Sequence, residues 1–253
     1  MLLVIDAGNT NIVICLFNDD TIIAKWRIAT LNQYTEDEYA GQILPLLTLL
    51  NIDLTQINGA IISSVVRRTV KPMSAFVKKY LKLTPLIAKD CMHDVSLKIE
   101  QPEELGSDIL ANAIAANDLA KENCIFLDFG TALVIGVITK EKEFLGATIS
   151  PGIKTAHSAL ISKADLLGHT NISKPKHILG TNTATAISSG IYTFYVCAVN
   201  GILSMIRREH ERDFKTVITG GFASIIQNEI ESVDFYDPDL TLKGLKLLYD
   251  FNK

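Results

Sequence analysis

Two short loops that begin with a carboxylate are the segments of this sequence best suited to chemistry. They are Asp6-Ala7-Gly8-Asn9-Thr10 and Asp128-Phe129-Gly130-Thr131-Ala132. In each loop an aspartate ends an apolar run, where its charge is costly to bury without a cation or strong hydrogen-bond donors. The glycine two positions later allows a tight turn that brings the backbone close to a ligand. Such a loop suits a phosphate with a hard divalent cation, which oxygen atoms bind. A single loop of this kind is, however, more typical of an ordinary hairpin turn.

The repetition of the loop changes this balance. Asp6 and Asp128 lie 122 positions apart, almost half of the 253 residues, and two unrelated turns rarely repeat at domain spacing. Each loop also lies between two apolar runs typical of strands. The pattern therefore predicts an α/β fold of duplicated domains, with residues 1–120 and 121–253 as the two halves. We expect a cleft between the copies, where the two loops hold a polyphosphate from both sides.

Asp108 is the candidate general base. It lies in Leu105-Gly106-Ser107-Asp108-Ile109, in front of a helix predicted over Ile109–Ala120. A carboxylate at this position can accept a proton from a substrate hydroxyl. It can equally cap the helix or be stabilised by the positive end of the helix dipole, and nothing local decides between the general base and this structural role. Thr219-Gly220-Gly221 is similarly open, because a double glycine after a strand leaves room for a flat ligand such as adenosine or simply makes a turn.

The elements that position these residues follow from the hydrophobic pattern. A helix is predicted from Thr35 to about Leu50, because Thr35 and Glu38 form a capping box. Helices near Lys154–Leu160, Ala184–Arg208 and Leu242–Tyr249 are predicted to cover the second sheet, and Ile149–Ile153 is predicted to be a loop. The remaining predictions are strands over Leu2–Ile5, Ile12–Phe17, Ile22–Ile28, Gly59–Val66, Cys124–Asp128 and Leu133–Thr139, and a helix near Lys71–Leu81.

Composition limits the class of protein. Hydrophobic residues make up 48% and charged residues 21%, which excludes a disordered or fibrous chain. The net charge of -4 gives no chain-wide basic footprint for nucleic acid. The four cysteines contain no C-x-x-C pair, and the five histidines (93, 157, 169, 177 and 210) show no metal-ligand spacing. We expect no signal peptide and no apolar stretch of the ~18 residues that a membrane span needs, and hence a cytoplasmic protein without nucleic-acid or membrane partners.

Taken together, these residues resemble the type III pantothenate kinases, a family within the actin, Hsp70 and sugar kinase superfamily. The resemblance spans nearly the whole chain, and the order and spacing of its segments are more specific than any one of them. The matching segments are Asp6–Thr10, Tyr34–Tyr39, Ser63–Val66, Gly106–Asp108, Asp128–Ala132, Ser150–Ile153, Asn182–Thr183, Ser189–Gly190, Thr219–Gly221 and Asp237–Leu245.

The resemblance implies transfer of the γ-phosphate of ATP to the primary hydroxyl of pantothenate, the first step of coenzyme A synthesis. It implies that Asp108 is the catalytic base, that Asp6 lies near Mg²⁺ on the ATP phosphates, and that Asp128 binds a monovalent cation, K⁺ or NH₄⁺. It further implies a homodimer whose interface completes the substrate site. Pantothenate would contact Gly106, Ser107, Asp108, Ile109 and Thr183, and ATP would contact Asp6, Ala7, Gly8, Asn9, Thr10, Asn11, Ile12, Val13 and Thr131.

The sequence departs from the family pattern in three places. Ile109 stands where the family has an arginine, and Ile99 stands where it has a tyrosine. Leu133-Val134-Ile135-Gly136 replaces a Thr-Thr-x-Asp run after the second loop. The phosphate loops are intact while the acceptor pocket is altered. An alternative to the kinase is therefore a catalytically weak relative that binds nucleotide and has a regulatory role or a different substrate.

Overall fold

The computed structural model describes residues 1–31, 34–162 and 171–253. Within these residues the strands form two sheets, and helices pack on both. This confirms the predicted α/β class. His169, one of the five histidines considered above, lies outside the described residues.

The first sheet is built on the N-terminal hairpin. The strand predicted over Leu2–Ile5 extends to Ala7. It runs antiparallel to the second strand of the chain, Asn11–Asn18, and parallel to the fourth, Gly59–Ser64. Its strands lie in the order β3-β2-β1-β4-β5. Their bounds are β1 Leu2–Ala7, β2 Asn11–Asn18, β3 Thr21–Ala29, β4 Gly59–Ser64 and β5 Leu86–Ile87.

The second sheet repeats this hairpin. The strand that carries Asp128 runs antiparallel to β8 and parallel to β10. The strands lie in the order β11-β10-β7-β8-β9-β6. Their bounds are β6 Ser96–Leu97, β7 Cys124–Phe129, β8 Ala132–Ile138, β9 Glu143–Pro151, β10 Lys215–Thr219 and β11 Phe235–Tyr236. The predicted loop at Ile149–Ile153 is wrong except at Gly152, because β9 continues through Pro151 by pairing with β8 and a helix begins at Ile153.

The helices confirm most of the predicted positions. Thr35 caps α1 as expected: its Oγ1 accepts from the Glu38 N–H at 3.3 Å, and its own N–H donates to Glu38 Oε2 at 2.8 Å. The second helix begins at Arg67, four residues before the predicted start, and ends in a wider turn over Val77–Leu81. The bounds are α1 Glu36–Leu49, α2 Arg67–Phe76, α3 Ser107–Ala120, α4 Ile153–Ser162, α5 Thr183–His210, α6 Ala223–Ile226 and α7 Leu240–Phe251.

The elements group into two compact units. The first contains Met1–Asp94, Glu103–Ala115 and Thr241–Lys253, and the second contains Val95–Pro102 and Ala116–Leu240. This grouping differs from the sequence halves 1–120 and 121–253 in three segments: 95–102 and 116–120 belong to the second unit, and 241–253 belongs to the first. The division into domains at residue 120 stays a prediction. The segment Val95–Pro102 joins the second unit because β6 pairs with β9.

The last helix corrects one expectation. Helix α7 was expected on the second sheet, but Leu242, Leu245 and Leu248 pack against Leu2 and Val4 of the first. Gly244 permits this position, since a Cβ there would lie 1.9 Å from the Ala111 carbonyl oxygen. The predicted helix is therefore confirmed, but the prediction that it covers the second sheet is wrong.

Helix α5 is the longest described helix, and its apolar residues extend beyond one face. By length and composition alone it could cross a membrane, so the expectation that no stretch approaches a span was too strong. Its residues Tyr195, Val199 and Leu203 belong to the core of the second unit. Phe194 and Met205 remain exposed. The helix therefore supports the second sheet with one face and leaves a second apolar face uncovered.

Candidate functional site

The first carboxylate loop joins β1 to β2 in the first unit. The Gly8 N–H donates to the Asn11 carbonyl at 3.0 Å, which closes the turn. A Cβ on Gly8 would lie 3.2 Å from that carbonyl oxygen, so glycine keeps the turn tight. Asn9 and Thr10 are exposed, and Asp6 is half-buried at the end of β1. The loop thus places a carboxylate and exposed polar groups at the end of two central strands, as the binding of an anion together with a cation would require.

The other residues expected at ATP divide into two kinds. Ala7 and Ile12 have fully buried side chains that belong to the first core, so only their backbone could face a nucleotide. Asn11 and Val13 are half-buried on β2. Their contact with ATP stays a prediction, and the structure places all of them within one hairpin.

Thr30 holds the loop and was missed by sequence reasoning. Its Oγ1 donates to the Gly8 carbonyl at 2.7 Å, and its N–H donates to the Thr10 carbonyl at 3.0 Å. Thr30 follows β3, so 20 or more residues separate it from the loop that it contacts. No local pattern marks such a residue, because the contact forms only when β3 pairs with β2.

Asp108 lies in the first turn of α3, as both of its predicted roles require. Its Oδ1 accepts a hydrogen bond from the Ile109 N–H at 2.9 Å. Burial raises the pKa of the Asp108 carboxyl, and this outweighs the lowering by the backbone N–H groups of Ile109 and of Asp108 itself. A raised pKa makes the ionised carboxylate a stronger proton acceptor, which favours the general base over a simple helix cap.

The residues around Asp108 pack closely, so larger side chains at these positions would not fit without a shift. A Cβ on Gly106 would lie 2.4 Å from Asp108 Oδ1, so glycine makes space for the carboxylate. Ser107 and Ile109 are buried, with Ile109 only 9% exposed. Ile99 is half-buried in the second unit, just after β6. Ile109 therefore presents a small apolar surface where the related kinases are expected to have a guanidinium.

The second carboxylate loop lies in the second unit and has a more crowded setting. Asp128 lies on β7 between two neighbouring strands: it pairs with Val134 of β8 on one side and with Thr219 of β10 on the other. Gly220 has a φ of +97°, and a Cβ there would lie 2.7 Å from Asp128 Oδ1. Gly220, the first of the two glycines after β10, therefore makes room for the backbone and the carboxylate of the neighbouring strand, in a conformation that an L side chain rarely adopts.

The Thr131 carbonyl fixes the other side of this loop. It accepts from the Gly152 N–H at 2.9 Å and from Thr155 Oγ1 at 2.6 Å. A Cβ on Gly152 would lie 2.2 Å from the Gly130 carbonyl oxygen, so the segment after β9 packs directly on the loop. The Thr131 side chain remains exposed, as contact with ATP would require. Thr155 was not predicted, because its contact depends on how α4 packs.

Thr183 is the first residue of α5 and is exposed. Asn182 caps the helix: its Oδ1 accepts from the Thr185 N–H at 2.9 Å. The cap fixes the start of the helix and leaves the Thr183 side chain accessible. Gly180 packs against the same turn, since a Cβ there would lie 2.2 Å from the Ala186 backbone nitrogen.

The departure at Leu133–Gly136 lies in the core of the second unit. Leu133 and Ile135 belong to that core on β8. A Cβ on Gly136 would lie 2.3 Å from the Phe126 ring, so this glycine accommodates the aromatic side chain. The replacement of polar residues in this segment is therefore matched by apolar packing.

The two loop aspartates are the carboxylates expected beside cations. Among the described residues no group of three or more His, Cys, Asp or Glu side chains could hold a metal ion. Asp6 and Asp128 each bring one carboxylate, a ligand that suits a hard cation held partly by phosphate. The residues therefore fit a cation that arrives with the nucleotide or completes its shell with water, and they do not form a dedicated metal cage.

Comparison with known proteins gives these positions a context. The sequence profile of the type III pantothenate kinase family matches residues 2–205. The type III pantothenate kinase of Halalkalibacterium halodurans is 39% identical over 253 residues, which cover 100% of both chains.

Solved structures agree on the fold at low sequence identity. The ROK hexokinase of Thermus thermophilus has a TM-score of 0.52 at 10% identity, with 98% of this chain and 97% of that chain covered. The activator of 2-hydroxyisocaproyl-CoA dehydratase from Clostridium difficile, solved with bound ADPNP, has a TM-score of 0.54 at 11% identity, with 99% and 94% covered. The fold is thus the actin-like fold of sugar kinases, and the profile match together with the full-length relative shows that the chain belongs to the type III pantothenate kinase family.

Proposed function

We propose that this protein transfers the γ-phosphoryl group of ATP to the primary hydroxyl of pantothenate, the first step of coenzyme A synthesis. The observation that carries the proposal is Asp108, a half-buried carboxylate with a raised pKa in the first turn of α3. As general base, Asp108 accepts the proton of the attacking hydroxyl. Membership of the family supports pantothenate as the acceptor.

The nucleotide is assigned to the two carboxylate loops. Phosphoryl transfer depends mainly on positioning and on neutralising charge. Gly8, Asn9 and Thr10 supply the turn for the phosphates, and Asp6 orients the hydrated Mg²⁺ that accompanies ATP. Asp128 holds a monovalent cation, K⁺ or NH₄⁺, and Thr131 contacts the nucleotide. The support for these roles is the strand-end position of both aspartates and the exposed side chain of Thr131.

The acceptor is assigned, from the family resemblance, to Gly106, Ser107, Asp108, Ile109 and Thr183. Pantothenate carries a carboxylate, which a guanidinium binds through a planar two-point contact that Ile109 cannot make. Arg67 and Arg68 are exposed at the start of α2, directly after β4, which is parallel to the strand of Asp6. They are candidates to supply the missing charge.

The buried Ile109 favours a second candidate function. A protein with intact phosphate loops and an apolar acceptor pocket would bind ATP but use a less acidic acceptor, or act as a regulatory nucleotide-binding protein. Measuring ATP consumption with and without pantothenate separates the two. Pantothenate-dependent consumption that is lost in Asp108→Asn supports the kinase, and ATP binding without consumption supports the alternative.

A homodimer in the cytoplasm is also proposed. The uncovered face of α5 supports it, because this face combines exposed apolar residues with glycines that have open space around them, a pattern suited to a second copy of the helix. It consists of Ala186, Gly190, Phe194, Cys197, Gly201 and Met205.

The dimer can be tested at Phe194, which is 66% exposed. We expect Phe194→Glu to give a monomer by light scattering after size-exclusion chromatography. Leu49→Glu, which changes an exposed leucine on α1, is the matched control and should keep the dimer. A wild-type monomer at micromolar concentration would contradict the assignment.

A further inference from the structure

A pair of buried serine hydroxyls connects the first sheet to the start of α3. Ser63 lies on β4, and Ser107 is the first residue of α3. Their Oγ atoms are 3.0 Å apart, which is hydrogen-bond distance. Ser63 is 1% exposed and Ser107 is 5% exposed, so water competes little for either hydroxyl.

The two serines lie next to the two carboxylates that the proposed function uses in this unit. In the parallel ladder of β1 and β4, Ser63 is the register partner of Asp6. Ser107 immediately precedes Asp108 in the chain. One hydrogen bond therefore relates the strand end that carries Asp6 to the helix start that carries Asp108.

We infer that the Ser63–Ser107 hydrogen bond is a positioning contact, which sets the place of the base Asp108 relative to the phosphate-binding end of the first sheet. The inference rests on the proposed function and adds residues to it. Phosphoryl transfer needs the acceptor oxygen, its base and the γ-phosphate in line, and small misplacements of such groups lower the rate steeply. Ser63 acts through its neighbours, and so does the Ser107 hydroxyl, apart from the acceptor contact proposed for Ser107 above. Neither serine is assigned contact with a reacting atom.

If this inference holds, the free energy of unfolding and kcat respond differently to removal of the two hydroxyls. Removing one hydroxyl leaves the other buried without this partner, which costs stability, whereas removing both can be nearly neutral. A purely structural pair would therefore recover both stability and rate in the double variant. A positioning pair would recover stability alone, because the contact that sets Asp108 is still missing.

The experiment compares Ser63→Ala, Ser107→Ala and the double variant with the wild type. Urea unfolding gives the stability of each, and steady-state kinetics give kcat and the KM values for ATP and pantothenate. We expect both single variants to be less stable and the double variant to return close to the wild type. We expect kcat to fall on the order of 10-fold in all three, with the KM for ATP changed by less than about twofold, since the β1–β4 ladder is intact.

Thr241→Val is the matched control. It removes the hydrogen bond from Thr241 Oγ1 to Asn112 Oδ1, 2.8 Å long, which holds the same helix one turn beyond Asp108. We expect it to lower stability and leave kcat unchanged.

Two results would overturn the inference. They are a double variant whose kcat returns to the wild-type value together with its stability, and a loss of kcat in Thr241→Val as large as that in the serine variants. A wild type that consumes no ATP with pantothenate would instead overturn the proposed function, and the inference with it.

Discussion

Replacing Asp108 by asparagine separates the two roles that the sequence leaves open. Asparagine has nearly the same shape, and its Oδ1 can still accept the 2.9 Å hydrogen bond from the Ile109 N–H. Asparagine is also a good residue at a helix start. The substitution therefore removes the proton acceptor and the charge while it preserves the local structure.

The expected effects on rate and stability have opposite signs. A general base contributes ~10²–10⁴-fold, so kcat should fall by about that factor, equivalent to about 3–5 kcal/mol of barrier. Because burial raises the pKa of Asp108 in the folded state, the folded protein binds more protons than the unfolded chain between the two pKa values. Wild-type stability therefore falls as the pH rises from the ordinary value of 3.8 through the raised folded value. The variant has no such loss, so we expect it to be more stable than the wild type at pH 7.

The assay is a coupled measurement of ADP release together with urea unfolding at pH 7 and pH 4. The stability advantage of Asp108→Asn should shrink at the lower pH, where the wild-type carboxyl is increasingly protonated. A variant with full kcat would leave Asp108 as a helix-start residue only. A variant that is inactive but less stable than the wild type at pH 7 would refute the argument from burial.

Three further outcomes are expected. Asp6→Asn should weaken Mg-ATP binding about 10–150-fold, the range for one lost bond to a charged group, and removal of K⁺ and NH₄⁺ should weaken it through Asp128; calorimetry with unchanged affinity in both cases would contradict the loop assignment. Ile109→Arg, alone or with Ile99→Tyr, should lower the KM for pantothenate by a similar factor in steady-state kinetics, unless the wild type already has an ordinary micromolar KM. Gly220→Ala should lower the free energy of unfolding by at least about 1–2 kcal/mol in urea, since its φ of +97° disfavours any Cβ; an unchanged midpoint would show that the loop adjusts without strain.

The elements that carry the two carboxylates were predictable because their signal is local. An apolar run, an aspartate and a glycine two residues later specify a strand and its turn, and the structure has both turns where the sequence placed them. The capping box of Thr35 and Glu38 is another local signal, and it is present as predicted.

The contacts that support the site were not predictable in the same way. Thr30 reaches Gly8 only after a third strand has joined the sheet, and Ser63 reaches Ser107 across 44 positions. Periodicity shows that a helix has an apolar face, as for α7, but it does not show which sheet that face will cover. Such partners depend on the order of strands, which the sequence pattern does not contain.

The position of α7 also has a consequence for how the protein is made. The chain leaves the ribosome with its N-terminus first, and domains commonly fold as they emerge. Here β1 is translated long before α7, but the core against which β1 packs also needs Leu242, Leu245 and Leu248. The first unit is therefore completed only after residues 116–240 have been translated. A premature stop codon just before α7 would leave Asp6 and Asp108 in the product, yet it would remove part of the core against which β1 and α3 pack.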